Sequence, residues 1–85
     1  MTKTKVKVVG ITRGVSKTGR AYTMLHVNKP LTDKQIEGGS VGTMATSYFV
    51  EDGLVSKVTN DMVGKDIVIS TLYAGNRDNL CDIDS

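Results

Sequence analysis

The chain has 85 residues, enough for one domain, and a domain of that size buries only about 60% of the surface its unfolded chain exposes. The lone Cys81 excludes an internal disulfide, and one cysteine with one histidine, His26, cannot fill a structural zinc site, so a second copy of the chain is the remaining supplement to a small core. The net charge of +2 hides two unlike parts, +7 over residues 1–29 with no acidic side chain and −5 over residues 30–85, a split that points to a polyanionic partner.

The N-terminal stretch KTKVKVVGITR (3–13) alternates, with Val6 and Val8 facing one way and Lys3, Lys5 and Lys7 the other. That period of two predicts a strand with one wet face, and Gly10 marks a bulge or bend in it. The lysine row reads as protection of a sheet edge or as phosphate contact. This stretch lacks the apolar run of a signal peptide, and no segment reaches the roughly 18 apolar residues that span a membrane. A cytoplasmic protein is the expectation. GVSKTG (14–19) is turn chemistry, and RAYTMLHVN (20–28) is a return strand. Tyr22, Met24 and His26 fall on one of its faces and Thr23, Leu25 and Val27 on the other, which completes a β-hairpin with a six-residue loop.

KPLTDKQIEGGS (29–40) holds the only proline and predicts one short helical turn capped by Thr32. VGTMATSYFVED (41–52) is a third strand that ends on an acidic turn. LVSKVTNDMVGK (54–65) reads equally as a hairpin arm or a helical turn. KDIVIST (65–71) is the most continuous apolar strand, followed by Leu72-Tyr73, a turn AGNRDN (74–79) and a last strand LCDID (80–84). These elements predict a single all-β domain over residues 1–85, a small five-stranded OB-like barrel with protruding hairpins. An SH3-like barrel fits the same pattern.

No catalytic constellation is present. His26 has no nucleophile beside it and reads as a cross-strand histidine. Cys81 reads as a buried small residue, and Asp78, Asp82 and Asp84 lack the glycine and spacing of a calcium loop. GVSKTG lacks the Gly-Lys-Ser/Thr ending of a triphosphate cradle and is not followed by a helix. The expectation is a protein that is not an enzyme, with no metal or cofactor. Binding is better supported. Lys17 and Arg20 sit at the tip and exit of the first hairpin, Arg13 at its start, and Tyr22 two residues after Arg20 on the same strand face. Cations beside an aromatic suit single-stranded nucleic acid, whose bases stack on rings while phosphates meet Lys or Arg. The alternative for Tyr22 is a core position, and Tyr48 and Tyr73 are further candidate platforms whose alternative is core or dimer interface.

The segment TRGVSKTGRAYTM (12–24) resembles the DNA-binding hairpin of the filamentous-phage gene V type single-stranded-DNA-binding proteins, through Arg13, Gly14, Ser16, Lys17, Gly19, Arg20, Tyr22 and Met24. Looser echoes follow at YFVEDG (48–53) and IVISTLYAGNRDNLCDID (67–84). The resemblance implies a five-stranded OB-like barrel, a symmetric homodimer and cooperative coating of single-stranded DNA. It implies phosphate contacts from Arg13, Lys17 and Arg20, stacking by Tyr22 with Met24 packed beside it, and DNA contacts from Tyr73 and Arg77 on the closing hairpin. The chain departs from the family at Ser47, where the family has a lysine, in a longer 29–40 segment, and in its acidic end, Asp82 and Asp84. Stacking and charge do not read the 2′-hydroxyl, so RNA stays open as the ligand. The expected function is coating of single strands during replication or transfer of a phage, plasmid or mobile element. The competing expectation is a small protein-interaction or transcription-regulatory module.

Overall fold

A computed structural model describes residues 1–84 as five antiparallel strands in one sheet, ordered β3-β2-β1-β4-β5. The strands are β1 (Thr2–Val15), β2 (Ala21–Pro30), β3 (Thr43–Val50), β4 (Asp66–Ala74) and β5 (Arg77–Asp84). One short helix, α1 (Asp33–Glu37), and two 3-10 turns, Asp52–Lys57 and Asn60–Met62, complete the chain. The expected all-β class is present. The sheet's outer strands, β3 and β5, are not hydrogen-bonded to each other, so it does not close into a barrel.

The central strand β1 is shared between two partners. Its first half, Thr2 to Lys7, pairs with β4, and its second half, Lys7 to Val15, pairs with β2. The hand-over occurs at a bulge between Val8 and Gly10, the interruption that Gly10 suggests in the sequence. Val9 is squeezed outward there and is exposed. Beyond the end of β4, the loop before it takes over: Val8 N–H donates to the Lys65 carbonyl at 3.0 Å, and Gly64 N–H donates to the Val8 carbonyl at 2.7 Å. A bulge sharpens strand bend and twist, and this one lets a single strand serve both halves of a curled sheet.

The curl gathers one core from every strand. Val6 and Val8, Leu25 and Val27, Tyr48 and Val50, Ile67 and Ile69, and Leu80 and Ile83 are all buried together. Segment 54–65 is neither a hairpin arm nor one regular helix. Its two 3-10 turns place Leu54, Val58 and Met62, four residues apart in turn, against the same cluster. The Cα radius of gyration is 13.7 Å, against about 12 Å for a compact chain of this length, because the hairpin ends reach beyond the core.

Several details depart from the sequence reading. The lysine row lies on the half of β1 that pairs with β4. Lys3 and Lys5 precede the β1–β2 ladder, which begins at Lys7, so although β1 is third in the sheet order this stretch is paired on one side. The sheet edges are β3 and the acidic β5. On β5, Asp82 accepts from the Lys57 ammonium at 2.7 Å and from the Ile83 N–H at 2.8 Å. These bonds, with Lys3 nearby, hold its carboxyl below the ordinary carboxylate range. The expected six-residue turn 74–79 is a two-residue turn, Gly75-Asn76. Both residues have positive φ, 62° and 63°, as a type I′ hairpin requires, so Arg77 and Asp78 belong to β5. Asn79 locks this turn by donating from Nδ2 to the carbonyls of Leu72, Ala74 and Arg77 at 3.1–3.3 Å. Cys81 is half-buried, not fully buried, because a register shift leaves it as the extra residue between Leu80 and Asp82. Helix α1 begins at the expected cap, Thr32, whose hydroxyl accepts from Gln35 N–H at 3.2 Å.

Candidate nucleic-acid interface

The outer face of β2 is built by alternation. Thr23, Leu25 and Val27 turn inward and are buried, which leaves Tyr22, Met24 and His26 half-buried on the other side. Their neighbours on that face follow from the register. Tyr22 stands opposite Gly14 of β1; Met24 lies between Thr12 of β1 and Phe49 of β3; His26 lies between Gly10 and Ser47. Both His26 nitrogens are engaged by hydroxyls, Nε2 with Thr12 Oγ1 and Nδ1 with Ser47 Oγ, each at 2.6 Å. The histidine therefore ties three strands together, as its cross-strand reading implies.

Tyr22 occupies space that a side chain on β1 would otherwise fill. A Cβ built on Gly14 would fall 2.7 Å from the Tyr22 hydroxyl oxygen and 2.8 Å from Cζ, closer than any side chain tolerates. The hairpin beyond this pair is short. Val15 still pairs with Ala21, Ser16 N–H donates to the Arg20 carbonyl at 2.8 Å, and Gly19 N–H donates to Ser16 at 2.9 Å with φ 83°. Lys17, Thr18 and Gly19 are thus a three-residue loop closed by a left-handed residue, not the six-residue loop of the sequence reading. Ser16 shapes it further: its hydroxyl accepts from Arg20 N–H at 3.3 Å and lies 2.9 Å from Thr18 Oγ1.

Two clefts open along this face. The first, about 380 Å³, is lined by Arg20, Tyr22, Phe49, Glu51 and Asp52, with Ser16 and Ala21 at its margin. The second, about 260 Å³, runs between β3 and β5 and is lined by Met24, Phe49, Glu51 and Arg77 among others. Phe49 and Glu51 belong to both. A track of Arg20, Tyr22, Phe49, Met24 and Arg77 therefore joins the β1–β2 hairpin to the β4–β5 hairpin. Among the described residues, the side chains of Lys17, Arg20 and Arg77 have no internal acceptor within bonding distance.

Comparison of the chain with protein families, curated proteins and solved structures finds no match. The structure brings together four of the seven residues singled out in the sequence, Arg20, Tyr22, Met24 and Arg77, with Lys17 at the adjoining tip. It separates Arg13, which stands opposite the buried Thr23 on the core side of the sheet. There its guanidinium donates to Asn60 Oδ1 at 2.7 Å and to the Val58 carbonyl at 3.5 Å. Tyr73 is 67% exposed on the far end of β4, opposite Asp78, and lines neither cleft. Tyr48 is a core residue, 5% exposed.

Phe49 is the residue that sequence reasoning passed over, and it is 59% exposed. Alternation offered a signal for it: Tyr48 and Phe49 are consecutive on one strand, so only one of them can face the core. The largest cavity, about 610 Å³, lies elsewhere, beneath α1. Its Lys29 is committed to Asp78 at 3.7 Å and to the Tyr48 hydroxyl at 3.4 Å. Lys34 also lines it, but the aromatic there, Tyr48, is a buried core residue, so the cavity lacks the open aromatic face found on the outer side of the sheet.

Proposed function

We propose that the protein binds single-stranded DNA without strong sequence preference and has no enzymatic activity. The observation that carries this reading is the row of the half-buried Tyr22 and the exposed Phe49 with an uncommitted guanidinium at each end, Arg20 and Arg77. An exposed ring such as Phe49, set beside a second aromatic, is an apolar surface that a partner can cover. Base faces are such a partner, and they stack on any aromatic ring whatever the sequence. The guanidinium groups and Lys17 meet the phosphates on either side and release their counterions, which makes the affinity depend on salt. A duplex keeps its base faces covered, so it gains only the ionic part.

On this reading the fold is an OB-like, partly open barrel that works as a homodimer, which supplements a small core and extends the binding track. The resemblance of residues 12–24 to the gene V type hairpin supports both points and suggests strand coating during replication or transfer of a phage, plasmid or mobile element. The test is a titration of oligo-dT, oligo-rU and a matched duplex at two salt concentrations, followed by tyrosine fluorescence. Single strands bind more tightly than duplex at both salts. Equal affinity for duplex and single strand contradicts the proposal.

A further inference from the structure

Glu51 follows the end of β3 where the two clefts meet, and it lines both. It lies two residues beyond Phe49, hence on the same side of the strand. It also precedes the first 3-10 turn, yet its side chain makes no capping hydrogen bond. Among the described residues its carboxylate has no ion-pair partner, although Arg20 borders one of its clefts and Arg77 the other. A bare carboxylate in a groove for a polyanion weakens the pull on phosphates, so phosphate binding gives no reason for it.

The base edges do. Rings that hold bases by their faces leave the Watson–Crick edges open to neighbouring side chains. An ionised carboxylate only accepts hydrogen bonds. Cytosine and adenine present an exocyclic amino group as donor. Thymine and uracil present a single ring N–H flanked by two carbonyl oxygens, which repel a carboxylate. We propose that Glu51 selects among bases: its carboxylate accepts from the amino group of a base stacked at Tyr22 and Phe49, so the site favours cytosine over thymine. The inference rests on the single-strand reading above and adds a modest bias to a sequence-tolerant grip.

The test titrates the wild type, Glu51→Gln and Asp52→Asn with oligo-dC and oligo-dT of equal length, at one salt and at an alkaline pH that keeps cytosine unprotonated. The wild type binds oligo-dC about fivefold more tightly, the effect of one net hydrogen bond. Glutamine both donates and accepts, so Glu51→Gln binds oligo-dT more tightly than the wild type does and brings the two affinities level. Asp52 borders only the first cleft, and Asp52→Asn raises both affinities while keeping their ratio. Equal wild-type affinities, a ratio that survives in Glu51→Gln, or a ratio lost in Asp52→Asn each overturn the role of Glu51. Failure to bind either oligonucleotide overturns the single-strand reading as well, whereas binding without preference overturns only the selection.

Discussion

The hydroxyl of Tyr22 lies 2.7 Å from where a β-carbon on Gly14 would be. The two residues are cross-strand partners, and the missing side chain of one is the seat of the other. Tyr22 is held against the backbone of β1 and presents its ring on the outer face. A ring fixed in advance loses less conformational freedom when a base stacks on it.

Gly14→Ala is expected to push the Tyr22 ring from its seat. Overpacking of this kind costs about 1–3 kcal/mol, measurable by thermal or urea melting, and single-strand affinity falls with it. In the double variant Gly14→Ala with Tyr22→Ala the clash has no partner. Its stability therefore returns to that of Tyr22→Ala alone, and a strictly additive loss counts against the seating role.

Tyr22→Ala and Phe49→Ala should each lower single-strand affinity by about 1–3 kcal/mol, the worth of one stacked base. Neither ring belongs to the core cluster, so Phe49→Ala leaves the melting temperature nearly unchanged. The salt dependence also stays the same, since no phosphate contact is lost. A Phe49→Ala protein that binds as well as the wild type removes β3 from the site.

The cations separate by role. Arg20→Ala, Arg77→Ala and Lys17→Ala each reduce the slope of log affinity against log salt by about 0.7, the value for one single-strand phosphate. Arg13→Ala keeps the slope. It loses about 1 kcal/mol of stability instead, because Asn60 and the Val58 carbonyl lose their donor. The opposite pattern, with a slope change only in Arg13→Ala, would move the phosphate contacts to the core side of the sheet.

Acid should weaken the fold through Asp82 and Asp61. Lys57 and the Ile83 N–H hold the Asp82 carboxyl below its ordinary value of 3.8, and Thr59, with Lys65, does the same for Asp61. A carboxyl whose pKa is lowered by folding contributes stability above that ordinary value, and the contribution is lost as pH falls below it. Melting temperature is thus expected to drop as pH falls through about 4, less steeply in Asp82→Asn. Both groups are exposed, so the effect is small and shrinks with added salt. An Asp82→Asn melt that tracks the wild type throughout the acid range assigns no role to this pair.

Alternation carried much of the fold. Val6 and Val8 inward with Lys5 and Lys7 outward, and Leu25 inward with Met24 outward, are readable because a strand with one buried face repeats every two residues. The position of β1 was not readable in this way. Its lysines look like an edge, and only the pairing of β4 with its first half makes it central, a contact between residues far apart in sequence. Arg13 illustrates the same limit at the site. Its place at the start of the hairpin groups it with Lys17 and Arg20, yet the register sets it opposite Thr23, and Asn60 from a distant turn takes its guanidinium. Local pattern places a residue on a face; which partner waits there is a tertiary matter.

The most direct test of the central claim is a map of backbone and side-chain NMR shifts on titration with oligo-dT. The account predicts the largest changes at Arg20, Tyr22, Met24, Phe49 and Arg77, with the cavity beneath α1 silent. Changes centred on Leu31, Lys34 and Gln35, with Tyr22 and Phe49 unmoved, would contradict it.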